Sequence, residues 1–146
     1  MLIRSEFGPG PLIALIGTQA ASDTAQYYTG RLIGRTPLAP AVSPKKTREG
    51  AVGGVLAAAV VLPAFGSYWM PGIPLLALAV LGVAIAVVGI LGDLFESLVK
   101  RSVDVKDASG LIPGHGGMLD RIDALIFSTP VYFVVLSWLL RSGRFS

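Results

Sequence analysis

Hydrophobic residues collect in four long stretches of this chain, and polar or charged residues separate them. The stretches are Pro11 to about Tyr28, Ala51 to Phe65, Ile73 to Gly92, and Ala124 to Leu140. A helix that crosses a bilayer needs about 20 mainly apolar residues, with a range of about 17–25. The third stretch meets this length without a charge, and the second and fourth meet it if neighbouring polar side chains reach the interface. Polar residues interrupt the first stretch, so the pattern predicts a bundle of about four apolar helices, in which the first spans the membrane or packs inside.

Two segments between the stretches, residues 30–49 and 93–123, contain nine of the twelve Lys and Arg residues. An even number of predicted spans separates these segments, so we expect both on one side of the membrane. Their excess of positive charge predicts that this side is the cytoplasm. The other connection is short and uncharged and contains Tyr68 and Trp69, which is typical of a turn at the membrane interface. We therefore predict one all-α domain over residues 1–146, a polytopic transmembrane helix bundle with two charged cytoplasmic loops.

The composition supports a membrane protein and excludes several other classes. Of the 146 residues, 53% are hydrophobic and only 14% are charged, whereas about 25% are charged in a typical soluble domain. The chain has no cysteine, which excludes disulfide bonds, thiolate metal ligands and a cysteine nucleophile. The net charge is +3, but the basic residues are interleaved with acidic ones beside predicted spans. We therefore expect no nucleic acid partner.

Carboxylates stand at the predicted cytoplasmic ends of three of the apolar stretches. Asp23 lies near the end of the first, Asp93 at the end of the third, and Asp120 and Asp123 at the start of the fourth. Carboxylates on separate helices can converge, and such oxygen ligands suit Mg²⁺, which keeps waters and substrate phosphates as its other ligands. A favourable interaction with the helix dipole is the alternative for Asp120 and Asp123. It does not explain Asp93, because an acid at a helix C-terminus opposes the dipole.

Two further segments are typical of phosphate binding. The segment SGLIPGHGGM places glycines around His115 and leads into a helix that we expect to begin at about Leu119. Backbone N–H groups of such a segment can approach phosphate oxygens, and a helix N-terminus is a favoured anion site. The segment SPKKT, residues 43–47, adds two ammonium groups and two hydroxyls. The alternatives are a flexible turn in the first case and binding of anionic lipid headgroups in the second. Together the segments favour phosphoryl or nucleotidyl transfer.

The order and spacing of these residues resemble a known enzyme signature. Residues 97–123 read Ser-x2-Lys-Arg-x4-Lys-Asp-x5-Pro-x-His-Gly-Gly-x2-Asp-Arg-x-Asp. This pattern resembles the signature of the phosphatidate cytidylyltransferases, also called CDP-diacylglycerol synthases. An upstream block is similar to the same family in the same order: Asp23, Tyr27, Gly30-Arg31, Gly34, SPKKT and Glu49-Gly50, followed by GDLFES at 92–97. The resemblance covers about Gln19 to Phe133.

The resemblance implies a reaction between two polyanions at a membrane surface. Phosphatidic acid and CTP would give CDP-diacylglycerol and pyrophosphate with Mg²⁺, and a second cation is an open alternative. The resemblance implies Asp93 and Asp120 as the chief metal ligands, Asp123 as an assisting ligand and Lys100 as a further catalytic residue. The residues implied in substrate binding are Asp23, Ser43, Lys45, Lys46, Thr47, Arg101, Lys106, Asp107, His115, Gly116, Gly117 and Arg121. Among the basic residues, Lys46, Lys100, Arg101 and Lys106 would bind phosphates, and His115 with its glycines would shape the nucleotide site.

The chain departs from the family in ways that leave alternatives open. Members usually have several further spans before the Asp23 block, so we expect this chain to lack them and to complete its bundle as a homodimer. Gln26 and Arg48 stand where the family usually has other residues. One competing function is a CTP-dependent polyprenol or phytol kinase, against which the complete signature argues. The other is a truncated, inactive membrane protein. We expect the bacterial inner membrane as the location, with the active site facing the cytoplasm.

Overall fold

The computed structural model of the protein describes residues 8–102 and 116–141, and it describes the side chains of residues 8–99 and 125–141. In chain order the elements are α1 (Pro9–Ile33), β1 (Pro37–Ala39), β2 (Ser43–Thr47), α2 (Arg48–Trp69), α3 (Leu75–Ser102) and α4 (Gly116–Arg141). Each of the four apolar stretches therefore forms a helix, and each helix is longer than its stretch. The prediction of a helical architecture is confirmed in its main outline.

The segment between α1 and α2 is more ordered than the sequence predicts. Instead of a loop over residues 30–49, α1 continues to Ile33, and β1 and β2 form an antiparallel pair with Pro37 opposite Thr47 and Ala39 opposite Ser43. The strands have three and five residues, which is too short for an alternating pattern to stand out in the sequence. The fold class is all-α, and this β-hairpin is a small non-helical element that the sequence does not predict.

Helices α1 and α2 pack against each other in antiparallel directions at very short range. Gly10 near the start of α1 contacts Trp69 at the end of α2, and Gly30 near the end of α1 contacts Gly50 at the start of α2. Between these points, the Ser22 hydroxyl donates a 3.0 Å hydrogen bond to the Gly54 carbonyl. Small residues allow such close approach of two backbones, which explains why α2 is rich in glycine and alanine.

Helix α3 packs antiparallel to α2 through a second close contact. A Cβ atom at Gly82 would lie 2.4 Å from the carbonyl oxygen of Ala58, so only glycine fits there without a shift of the backbone. Gly66, further along α2, contacts Leu78 near the start of α3. Because α2 runs opposite to both of its neighbours, α1 and α3 run in the same direction.

Helix α4 closes the bundle. The Tyr132 side chain of α4 is fully buried, and its hydroxyl donates a 3.0 Å hydrogen bond to the carbonyl of Pro11 in α1. Phe127 packs edge-on against Phe95 of α3 and contacts Gly92. The buried apolar cluster, which includes Leu15, Leu62, Leu81 and Leu136, lies between the helices in the half of the bundle away from the hairpin.

Two helices within the described ranges are long and apolar enough to cross a membrane: Arg48–Trp69 and Leu75–Val99. The part of α4 from Leu125 to Arg141 is a shorter apolar helix. Large apolar side chains on these helices face outward, for example Leu76, which is 76% exposed, and Val60, which is 68% exposed. Soluble monomers rarely expose extensive apolar patches, so these faces suit contact with lipid.

Candidate functional site at the charged end of the bundle

An ion pair joins the hairpin to α3. The Lys46 ammonium of β2 donates to Oδ2 of Asp93 in α3, although the two residues are 47 positions apart. The pair is partly shielded from solvent, since the Lys46 and Asp93 side chains are 18% and 34% exposed. The pair thereby brings together one residue from each of the two charged segments that the sequence singles out.

The strand geometry explains why Lys46, and not its neighbour, reaches Asp93. Successive side chains of a β-strand point to opposite faces. Lys46 is half-buried against α3, whereas Lys45 is exposed on the other face of the hairpin. Ser43, at the start of β2, takes part in the strand pairing with Ala39.

Glu49 anchors the hairpin to the first turn of α2. Its carboxylate accepts 3.2 Å hydrogen bonds from the backbone N–H groups of Arg35 and Thr36 and a 2.9 Å bond from the Thr36 hydroxyl. The Arg48 N–H also donates to the Thr36 carbonyl at 2.9 Å. These bonds fix the start of β1 relative to α2 and, through the strand pairing, the position of Lys46.

Thr47 has a structural role that its place in the SPKKT segment does not reveal. Its hydroxyl oxygen accepts a 3.1 Å hydrogen bond from the N–H of Gly50 and so caps α2. A Cβ atom at Gly30 would lie 2.9 Å from this hydroxyl, and one at Gly34 would lie 2.7 Å from it. Gly30 and Gly34 therefore leave space for the Thr47 side chain. Because Thr47 caps α2, Lys46 lies two residues before the first residue of that helix.

A buried polar cluster on α1 contacts α3 one turn before Asp93. It consists of Thr18, Gln19 and Ser22, which are 0%, 4% and 2% exposed, together with the half-buried Asp23. The Gln19 side-chain amide packs on Gly89 of α3, where a Cβ atom would lie 2.6 Å from Nε2. It also donates a 3.4 Å hydrogen bond to Oδ1 of Asp23.

Asp23 and Asp93 lie at a similar depth in the bundle. Gln19 contacts Gly89, and each aspartate comes four residues after one of these two contact residues. Helices α1 and α3 run in the same direction. Each aspartate therefore lies about 6 Å further along its helix than the Gln19–Gly89 contact. The sequence interpretation that Asp23 lies near the end of its helix is wrong, because α1 continues for ten residues to Ile33.

Sequence reasoning did not identify Gln19 and Thr18 as members of the buried polar cluster beside Asp23. Both are simply polar interruptions of an apolar stretch when that stretch is considered alone. The available signal is their spacing, since positions 18, 19, 22 and 23 fall on one helix face. Within the described side chains, Thr18 Oγ1 and Gln19 Oε1 are buried without a hydrogen-bond partner. Buried polar groups of this kind usually have one.

Helix α3 continues past Asp93 as the sequence predicts. Glu96, Ser97, Lys100 and Arg101 all lie in α3, which ends at Ser102, and the Ser97 hydroxyl donates a 2.9 Å hydrogen bond to the Asp93 carbonyl. Asp93 therefore lies nine residues before the end of α3, away from the partial negative charge of the helix C-terminus. The positive charge of Lys46 lies beside its carboxylate instead.

The remaining predicted residues lie partly or wholly beyond the described positions. Helix α4 begins at Gly116 instead of at about Leu119, so Gly116 and Gly117 belong to its first turn. The side chains of Lys100, Arg101, Asp120, Arg121 and Asp123, and the whole of Lys106, Asp107 and His115, are outside the described part. The proposed set of three carboxylate ligands therefore stays a prediction. Among the described residues, no group of three His, Cys, Asp or Glu side chains is close enough to hold a metal.

Comparison with known protein families identifies the family to which this chain belongs. The model of the cytidylyltransferase family matches residues 1–139, and the chain belongs to that family. This match includes both the β-hairpin and the signature over residues 97–123.

Several curated bacterial proteins are similar over most of the chain. A phosphatidate cytidylyltransferase of Pseudomonas aeruginosa is 45% identical over 130 residues, which are 88% of this chain and 48% of that protein. One of Helicobacter pylori strain J99 is 40% identical over 137 residues, 94% of this chain and 51% of that protein. An uncharacterised Escherichia coli K12 protein, YnbB, is 41% identical over 140 residues, 94% and 47% of the two chains. The chain thus spans about half the length of these relatives.

Proposed function

We propose that this chain provides the catalytic part of a phosphatidate cytidylyltransferase. The observation that best supports this proposal is the ion pair between Lys46 and Asp93. It joins Lys46 of the SPKKT segment to Asp93 of α3. The sequence assigns the SPKKT segment to phosphate binding and Asp93 to metal binding. Relatives named phosphatidate cytidylyltransferase are 40% and 45% identical to this chain over the aligned residues, which supports the choice of reaction.

In the proposed reaction, a phosphate oxygen of phosphatidic acid attacks the α-phosphorus of CTP. A new bond forms between that oxygen and the α-phosphorus, the bond from the α-phosphorus to the bridging oxygen breaks, and pyrophosphate leaves. No covalent intermediate with the protein is required, because the lipid phosphate is itself an anionic nucleophile. Positioning and charge neutralisation are then the main tasks of the protein.

The charged end of the bundle has groups for both tasks. Lys46 would exchange its contact with Asp93 for a contact with a substrate phosphate oxygen. A lysine ammonium is a compact charge on a flexible stem, so the exchange needs only a rotation of the side chain. The hairpin, held by Glu49, fixes where that stem begins. Basic residues of the signature, Lys100, Arg101 and Lys106, would neutralise further phosphate charge.

The donor chemistry of this end also fits Mg²⁺. Asp93 offers carboxylate oxygens at the partly exposed end of the bundle, and carboxylates are ligands that Mg²⁺ prefers. We propose Asp93 with Asp120 and Asp123 as the residues that would hold it. The ion would offset the repulsion between the two polyanionic substrates.

The test is transfer of CMP from α-labelled CTP to phosphatidic acid by the purified chain in lipid vesicles with Mg²⁺. We expect labelled CDP-diacylglycerol from the wild-type chain and none from Asp93→Asn. The control variant Arg48→Ala removes an exposed cation two residues after Lys46 and should retain activity. Labelled product from Asp93→Asn at the wild-type rate would refute the assignment of the site.

The same assay separates the competing functions. A polyprenol kinase would phosphorylate a prenol and release CDP instead of pyrophosphate. A folded chain that gives no product with either lipid would be an inactive membrane protein. Its folding is checked independently by a cooperative thermal transition in the same vesicles.

We further propose that four helices cross the bacterial inner membrane with the hairpin on the cytoplasmic side, where CTP is available. Self-association to a homodimer belongs to the same proposal, because large apolar side chains of α4, such as Val134 and Trp138, are exposed away from the α2 and α3 surface. Mass photometry in nanodiscs measures the oligomeric state. An active particle with the mass of one chain would exclude the dimer.

A further inference from the structure

An open apolar groove of about 300 Å³ runs along the outer surface of the bundle between α2 and α3. Val52, Val55 and Leu56 form one wall, and Val87, Ile90 and Leu91 form the other. The lining presents no polar atom. Three of these side chains, Val52, Leu56 and Leu91, expose more than half of their surface, so the groove opens sideways towards the space that lipid would occupy.

At its end nearest the hairpin, the groove leads towards the charged site. Lys46 precedes the first residue of α2 by two positions, and Asp93 follows the groove residue Ile90 by three positions, which places Ile90 and Asp93 on one side of α3. The ion pair between Lys46 and Asp93 thus joins α3, one wall of the groove, to strand β2, which leads directly into α2, the other wall. A molecule with a phosphate at this ion pair and an apolar tail would have its tail directed along the groove.

We propose that the groove binds one acyl chain of the phosphate-bearing lipid substrate, at the methylenes next to the glycerol. Val52 to Leu56 and Val87 to Leu91 each cover four residue steps, which correspond to about 6 Å along a helix. The groove therefore accommodates only the first part of a chain, and the remainder continues into the bilayer. This assignment rests on the proposed function and identifies the path by which the lipid reaches the site.

Headgroup charge, and not apolarity, must hold the lipid in this groove. Lipid tails are as apolar as leucine side chains, so the hydrophobic effect gives no preference for the groove over the bulk bilayer. The Lys46 ammonium beside the groove can attract a phosphate monoester, and it has no such attraction for a neutral lipid. Occupancy of the groove should therefore depend on the phosphate.

Photo-crosslinking in phosphatidylcholine nanodiscs tests this dependence without CTP. Two probes have the same acyl chains, with a diazirine near the carboxyl end, and differ only in the headgroup: one is a phosphatidic acid and the other a diacylglycerol. Mass spectrometry locates the labelled residues. We expect about tenfold more labelling of the groove walls by the phosphatidic acid probe, a preference of about 1.4 kcal/mol.

Matched variants test the location. Leu56→Trp fills the groove from α2, and Leu91→Trp fills it from α3. The control is Val60→Trp, one turn further along α2, where the side chain is 68% exposed and outside the groove. Both groove variants should lower labelling by the phosphatidic acid probe about tenfold and raise KM for the lipid, with KM for CTP unchanged. The control should leave labelling and both KM values unchanged.

Two outcomes would overturn the inference. Equal labelling of the groove by both probes would show ordinary solvation by bilayer lipid. Crosslinks between two copies of the chain at these residues, with no lipid label, would show that the groove is an interface between subunits. Phosphate-dependent labelling in a chain without cytidylyltransferase activity would support the lipid site while it refutes the proposed function, so the two failures are distinguishable.

Discussion

At the scale of single residues, two adjacent lysines have different environments. Lys45 and Lys46 are equivalent candidates in the sequence, because both lie in SPKKT. In the structure they lie on opposite faces of β2, and only Lys46 reaches Asp93. Its contribution therefore depends on the hairpin, whose register determines which lysine faces α3.

This difference predicts unequal effects of removing each charge. Lys46→Ala should lower kcat/KM for CMP transfer about tenfold or more, since a hydrogen bond to a charged group contributes about 1.5–3 kcal/mol. Lys45→Ala should cause a distinctly smaller loss, because that ammonium is exposed. Steady-state kinetics of the two variants in lipid vesicles measure the difference.

A double-mutant cycle with Asp93→Asn then measures the coupling between the two charges. The cycle is measured on the free energy of unfolding in detergent, because the ion pair exists in the free protein and Asp93→Asn should have no activity. The losses of stability in Lys46→Ala and Asp93→Asn should be clearly less than additive, because each variant breaks the same contact. Equal losses of activity for the two lysine variants, or strictly additive losses of stability with Asp93→Asn, would contradict the role that the structure gives to Lys46.

Sequence reasoning identifies the chemistry of the site better than its surroundings. Asp93 and Lys46 can be predicted because their residue types and spacing resemble a known signature. The hydrogen bond from Gln19 to Asp23 cannot be predicted in this way, because it depends on the packing of Gln19 on Gly89 of another helix. Pattern along one stretch does not show which helices will be neighbours, so the buried polar cluster emerges only from the packing.

At the scale of elements, glycines determine how closely the helices approach. Gly82 of α3 lies against the backbone of α2 at Ala58. Gly17 of α1 lies in a similar position within its helix, but a Cβ atom there would meet nothing within 4 Å. The two positions form a natural pair in which the same substitution has opposite expected effects.

Gly82→Ala should destabilise the fold by about 1–3 kcal/mol, as overpacking of a tight contact typically does. Gly17→Ala should be neutral or stabilising by up to about 1 kcal/mol, since alanine is the better helix former. Thermal unfolding of both variants in the same detergent measures the two shifts relative to wild type. A loss of stability in Gly17→Ala as large as in Gly82→Ala would show that contact distance does not determine the result, because helix propensity alone favours alanine.

The helices follow from the sequence, and the hairpin does not. Long apolar runs are needed wherever a helix contacts lipid or a core, so they are visible in any window of the chain. Strands β1 and β2 bury little and owe their position to bonds with Glu49 of α2. Such an element depends on a tertiary contact, and its sequence, PLAPAVSPKKT, contains no long apolar run.

At the scale of the whole molecule, the two ends of the bundle are chemically different. The hairpin end has the Lys46–Asp93 pair, whereas the turn between α2 and α3 follows Tyr68 and Trp69 and has no charge. Charge at one end and aromatic residues at the other predict a fixed orientation in the membrane, with the hairpin in the cytoplasm.

The absence of cysteine from the chain allows a clean test of this orientation. Ala41→Cys places a thiol in the exposed turn of the hairpin, and Ser67→Cys places one on the exposed surface near the other end of α2. A membrane-impermeant maleimide applied to intact spheroplasts should label Ser67→Cys at once, and Ala41→Cys only after permeabilisation. Labelling of both variants in denaturant controls for thiol reactivity. The reverse pattern would place Lys46 and Asp93 outside the cell, where CTP cannot reach them, and the proposed function would then fail together with the orientation.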